Sequence, residues 1–188
     1  MDNLLYDTTR KYNYHTKTSI EYLNIECSFD IETTSTYTKD GKKFSFMYLW
    51  GFGIGEHGYY LKYGRTWEEF HELLNHVANE LNISINRRLV IYVHNLGYEF
   101  QFFRKLFEWE TVFSVDDRKP IKAITTSGFE FRDSYILSGY GLESLAKNLV
   151  KHQNRKMVGN LDYSLVRHSK TPITDEELEY MENDVTII

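Results

Sequence analysis

The sequence is poor in cysteine, proline and basic charge, and each shortage removes a class of protein. Cys27 is its one cysteine, which excludes an intramolecular disulfide framework and a cysteine-rich zinc site, and points to a reducing compartment. Pro120 and Pro172 are the only prolines, and no low-complexity linker or internal repeat breaks the 188 residues. No apolar run approaches the roughly 18–20 residues of a membrane span. The opening MDNLLYDTTRKYNYHTK lacks the apolar block of a secretory signal. Lys and Arg number 22 against 27 Asp and Glu, a net charge of −5, whereas a general nucleic-acid coat carries a basic surplus. What remains is a soluble chain expected in the cytoplasm, long enough to bury one real core. An enzyme whose carboxylates hold cations against a phosphate substrate fits this balance.

Aromatic residues, by contrast, are plentiful: 15 Tyr, 12 Phe and 3 Trp make 16% of the chain. They suit a core of large rings or stacking platforms for unpaired bases, and position alone separates the two. Residues 1–22 are weakly patterned and read as an N-terminal arm, leaving 23–188 as the domain. Ile25, Cys27, Phe29 and Ile31 alternate along a strand. Apolar runs at 44–54 and 59–63 predict two more strands. Thr66-Trp-Glu-Glu69 is a capping box opening a helix with Phe70, Leu74, Val77 and Leu81 on one stripe. A short strand at 89–93, a helix at 98–107, a hairpin about Ser127-Gly128 and a helix at 142–150 follow. Thr174-Asp-Glu-Glu177 is a second capping box, and its helix runs to the end of the sequence without a C-cap. The order predicts an α/β protein, a mixed β-sheet flanked by helices, cut from a longer chain.

Several signals fail on their own terms. Gly53-Ile-Gly55-Glu-His-Gly58 matches a dinucleotide fingerprint, but a strand follows where a helix N-terminus is needed, so it reads as a hairpin turn. His71 and His76 are five apart, off the spacing of helical metal ligands. No serine sits in a GxSxG elbow, and Cys27 lies on an apolar strand face, as an inert thiol would.

The carboxylates are more informative. Asp30 and Glu32, at i and i+2 of a strand, leave the same face. Two hard oxygen ligands on one rigid strand can share a pair of Mg²⁺ ions. Chance alone supplies about four acid-x-acid triplets in such a chain. Glu108/Glu110, Asp175/Glu177 and Glu177/Glu179 read as such decoys, on solvated faces or at helix starts. A second signal is Tyr92-Val-His-Asn95-Leu-Gly-Tyr98-Glu99, where a strand ends and an aromatic-rich helix begins; ligands of open α/β sheets gather at such ends. A third is Tyr180 and Asp184, stacked at i and i+4 of the last helix.

Together, FDIET (29–33), HNLGYEFQF (94–102) and YMENDVTII (180–188) resemble the Exo I, Exo II and Exo III motifs of DEDD-type 3′–5′ exonucleases. The closest likeness is to the proofreading domain of bacteriophage-type, protein-primed family B DNA polymerases. It covers about residues 25–188. Asp133-Ser134 between the motifs and Thr33-Thr34 after the first add to it. The resemblance implies an RNase H-like fold and two Mg²⁺ (or Mn²⁺) ions held by Asp30, Glu32, Glu99 and Asp184. Asp30 is the candidate to bridge the ions, and Tyr180 would orient the attacking water. Thr33, Asn95, Tyr98 and Ser134 would contact an unpaired 3′ end. Implied partners are the 3′ end of single-stranded DNA, a polymerase domain in cis and a terminal protein primer, in the cytoplasm of a bacterial host. Two departures stand out. The second motif has Glu99 where the family has Asp, and Val158 stands where the family often has Lys, with Lys156 nearby as a substitute. A nuclease of the same fold that trims RNA, and a strand-binding module that no longer cuts, are the alternatives.

Overall fold

A computed structural model describes residues 9–12, 20–55, 60–149 and 164–188. Among them, nine strands form one mixed sheet whose main path runs β5-β4-β3-β6-β9-β8-β7. The long strands β3 (Cys27–Tyr37) and β4 (Lys43–Ile54) pair antiparallel, and β5 (Tyr60–Gly64) continues the meander. β4 and β5 flank the glycine-rich turn as the hairpin reading requires; Glu56, His57 and Gly58 lie outside the described residues. β6 (Arg87–Val93) runs parallel to β3 and to β9 (Phe129–Asp133), and β8 (Pro120–Thr125) pairs antiparallel with β9.

Both capping boxes form. Thr66 caps helix α1 (Trp67–Leu81), which buries Phe70, Leu74, Val77 and Leu81, as its spacing predicts. Thr174 caps helix α5 (Asp175–Ile187). Helix α2 (Leu96–Phe103) is shorter at its C-terminal end than the pattern suggests. Trp109 to Ser114 instead form strand β7, an edge strand exposed along most of its length; with no buried face it has no alternation to read. Helix α3 (Ser134–Ser138) follows β9 directly, and helix α4 (Leu142–Asn148) lies where expected. The N-terminal stretch read as an arm carries two short strands, β1 (Thr9–Tyr12) and β2 (Ile20–Leu23). They pair with each other, and β2 adds to β6 in parallel.

Most of the largest buried rings are phenylalanine, although Phe44 and Phe113 are exposed and Tyr48 is buried. Phe29, Phe52, Phe70, Phe103 and Phe131 are fully buried, with Phe29 stacked on Phe70 at 4.5 Å between centroids. Tyr37, Tyr63, Tyr98, Tyr135 and Tyr140 are exposed. Phenylalanine therefore builds the core between the sheet and helices α1 and α2, while much of the tyrosine faces water. Cys27 is buried in that core, and burial pushes its thiol pKa far up, against any nucleophilic role.

Candidate active site

Strand alternation decides where the first two carboxylates go. Cys27, Phe29 and Ile31 fill the main core, so Asp30 and Glu32 project from the other face of β3. That face is covered by α5, whose Met181 and Val185 pack on Tyr48 and Leu49. The docking is close. Asp30 is opposite Gly51, and a Cβ at 51 would lie 2.6 Å from Met181 Sδ and 2.8 Å from Val185 Cγ2. The Ser28 hydroxyl donates to the Val185 carbonyl at 2.7 Å, fastening the helix to the strand. The β3–β4 register shifts between Glu32 and Thr33, placing Tyr48 as an extra residue between the partners of these two. Such a bulge bends the strand and re-aims its side chains.

The outcome is a set of three: Asp30, Glu32 and Asp184 each offer a carboxylate oxygen, all within 4.8 Å of one another. Asp184 is buried and the other two are half-buried. At an effective dielectric of about 20, each pair of charges at that spacing repels by about 3 kcal/mol. A divalent cation relieves such repulsion, and carboxylate oxygens are its preferred ligands.

Glu99 stands just outside the set. It is buried on α2, and its Oε2 has no hydrogen-bond partner among the described residues. Burial, then the charges of Asp30 and Glu32, push its pKa well above the ordinary value. A fourth carboxylate thus faces the first two with an oxygen left over for a ligand. The donor chemistry of all four suits Mg²⁺ or Mn²⁺.

The remaining expected residues lie on β3, α2, α3 and α5 or at their ends. Tyr180 is half-buried, one helical turn before Asp184. The Thr33 and Tyr98 hydroxyls hydrogen-bond each other at 2.7 Å, joining β3 to α2. Asn95 caps α2 in the left-handed conformation (φ 65°, ψ 54°) without a side-chain cap bond, so its exposed amide is not spent on the helix. Ser134 is buried and bonds His94 Nδ1 at 3.0 Å. The His94 ring meets Tyr135 edge-on at 5.6 Å. Lys156 and Val158 lie outside the described residues.

Sequence reasoning missed the clamp behind α5. Glu177, taken for a decoy, is buried: it accepts from Thr174 N and from Arg167 Nε. Burial alone would raise its pKa, but the Thr174 and Arg167 bonds hold it below the ordinary value. Arg167 is buried too, its backbone N–H donates to Thr34 Oγ1, and its guanidinium lies over the Tyr48 ring. The start of α5 is thereby tied to both strands at the bulge. The capping box marked Glu177 in the sequence, but nothing marked its partner ten residues earlier.

No protein-family profile matches the chain, and neither does any curated protein. Solved structures do. Phi29 DNA polymerase with primer-template DNA and incoming nucleotide matches 87% of this chain at a TM-score of 0.64 and 20% identity. The same polymerase with single-stranded DNA matches 86% at 0.60 and 18%. These matches cover 29% and 30% of the polymerase, so the chain spans less than a third of its length. At this identity the likeness is one of fold, and it agrees with the fold that the three motifs led one to expect: the chain folds like part of a bacteriophage DNA polymerase.

Proposed function

We propose that this chain is a divalent-metal-dependent 3′–5′ exonuclease. It would remove nucleotides from single-stranded DNA 3′ ends, as the proofreading unit of a protein-primed DNA polymerase. One observation carries the reading: Asp30, Glu32 and Asp184, from two distant motifs, bring their oxygens within 4.8 Å at one site. The fold shared with a DNA polymerase, solved with primer-template and with single-stranded DNA, supports a DNA substrate and a polymerase domain in cis; priming by a terminal protein belongs to the same proposal, on the likeness of the motifs alone.

Asp30, Glu32 and Asp184 would hold the metal, with Glu99 completing the shell. Two bound Mg²⁺ ions would supply a water acidic enough to lose its proton and attack phosphorus as hydroxide, and a countercharge for the leaving 3′ oxygen. Tyr180, on the helix face that carries Asp184, would orient that water. Thr33 and Tyr98, already bonded to each other, and the exposed amide of Asn95 would hold the terminal nucleotide, with Ser134 bracing His94 beside them. A module that binds a strand without cutting it is the second reading, favoured by Glu99 standing outside the set.

Digestion of 5′-labelled single-stranded DNA decides. The wild type should release 5′-mononucleotides with Mg²⁺ and none with a chelator, and Asp30→Ala should lose at least about 10³-fold in rate. Undiminished cutting by Asp30→Ala would overturn the metal assignment, and binding without product in the wild type would select the second reading. A matched RNA strand tests the sugar preference.

A further inference from the structure

The β3–β4 pair outruns the sheet. β6 pairs with β3 only at Ser28 and Phe29, and β5 pairs with β4 only from Trp50 to Ile54. Past the bulge, residues 33–37 and 43–47 therefore form a two-stranded ribbon that leaves the body of the protein beside the carboxylates. It is well built. Ser35 and Ser45 hydroxyls bond across it at 2.7 Å, and Thr38 and Lys42 close the tip through backbone and side-chain bonds, with Gly41 at φ 79°. One face is propped from below, since Thr34 accepts from Arg167 N and Phe46 stacks on His168 at 5.5 Å.

The opposite face is a ladder of Thr33, then Ser35 with Ser45, then Tyr37 with Lys43. Its foot is the Thr33–Tyr98 bond, between the chain neighbours of Glu32 and Glu99. Its head has Tyr37 at 67% exposure, with Lys39, Lys42 and Lys43 all exposed. In a chain of net charge −5, residues 33–47 hold three lysines against Asp40 alone, a local balance of +2. Hydroxyls, an open ring and cations along one line suit a single-stranded nucleic acid: cations take phosphates and rings take bases.

We propose that the ribbon is a second contact for the DNA strand, gripping nucleotides 5′ of the end held in the site. Five residues of strand reach about 13 Å from Thr33 to Tyr37, enough for a few nucleotides. This rests on the nuclease reading for its substrate, but its test does not depend on cleavage. Fluorescence anisotropy in a chelator would compare a labelled 12-mer and a 3-mer on the wild type, on the triple variant Lys39→Gln, Lys42→Gln, Lys43→Gln, and on Tyr37→Ala.

The triple variant should bind the 12-mer about 10-fold more weakly, with a shallower salt dependence: the log–log slope falls by about 2 for three lost phosphate contacts. Tyr37→Ala should weaken the 12-mer about 5- to 100-fold. The 3-mer should be unaffected, and with Mg²⁺ the 12-mer KM should rise while kcat holds. An unchanged 12-mer affinity and slope, equal loss on both oligonucleotides, or a change confined to self-association in sedimentation would each overturn the proposal. If the wild type binds through the ribbon and never cuts, the nuclease reading fails while the ribbon stands. Unfolding midpoints equal to wild type confirm that these exposed replacements leave the fold intact.

Discussion

Under the proposed function, Glu99 is the carboxylate whose part is most open to test. Its carboxylate is buried against two others, and one oxygen finds no partner among the described residues. Without a cation, that placement costs stability, because at neutral pH the group must either stay charged beside like charges or take up a proton that the unfolded chain does not bind. Glu99→Gln should therefore raise the thermal midpoint in a chelator at neutral pH, by about 2–4 °C for each kcal/mol relieved. Adding Mg²⁺ should raise the wild type more than the variant and narrow the gap. A midpoint that falls in the chelator would show that the carboxylate is stabilised by something other than metal. Glu99→Asp tests the same position through activity. The shorter acid should keep or raise turnover, whereas a loss on the order of 10²-fold would show a site built around the longer side chain.

At the scale of elements, the site is an agreement between a strand and a helix about how closely they pack. Gly51 is the gap in β4 into which α5 settles, and any side chain there meets Met181 and Val185. Gly51→Ala should cost about 1–3 kcal/mol of stability as an overpacked contact. It should also lower Mg²⁺-dependent cutting by about 10²-fold, because a shift of α5 near 1 Å moves Asp184 relative to Asp30. Pairing it with Val185→Ala should recover part of the rate in a single-turnover assay; no recovery would mean that helix position does not set activity. This dependence on packing also explains what could be read in advance. Asp30 with Glu32, and Tyr180 with Asp184, were legible because strand and helix periods place each pair locally. The capping boxes at Thr66 and Thr174 fixed two helix starts for the same reason. β7 was not legible, because an exposed edge strand carries no alternation, and α3 is only five residues long. The bulge, Gly51 and the Arg167–Glu177 clamp are products of tertiary contact between segments far apart in sequence, and no local pattern announces them.

At the scale of the whole molecule, acid resistance depends on buried carboxylates that face cations rather than each other. Glu130 of β9 has no exposed side-chain surface and accepts from Arg88 of β6 at 3.2 Å, from Arg132 at 2.6 Å and from Tyr22 of β2 at 3.0 Å. Three strands, including one from the N-terminal stretch, meet on that carboxylate. Burial by itself would raise its pKa, but Arg132, Arg88 and Tyr22 outweigh burial and hold it below the ordinary value of 4.5. A depressed folded-state pKa means that the native state binds its proton less readily than the unfolded chain. The contribution is thus complete above the unfolded value and is lost as pH falls through the folded one. Glu130→Gln leaves two arginines without their counterion, a loss of about 3 kcal/mol at neutral pH for a broken buried pair. Urea unfolding at pH 7 should show that deficit in full. As pH falls below the unfolded value the gap should narrow, and the two proteins should converge once pH has passed the folded one, where the wild-type carboxylate gives up its own charge. A gap that stays constant between pH 7 and pH 3 would mean that shape, not charge, is what Glu130 contributes where these strands meet.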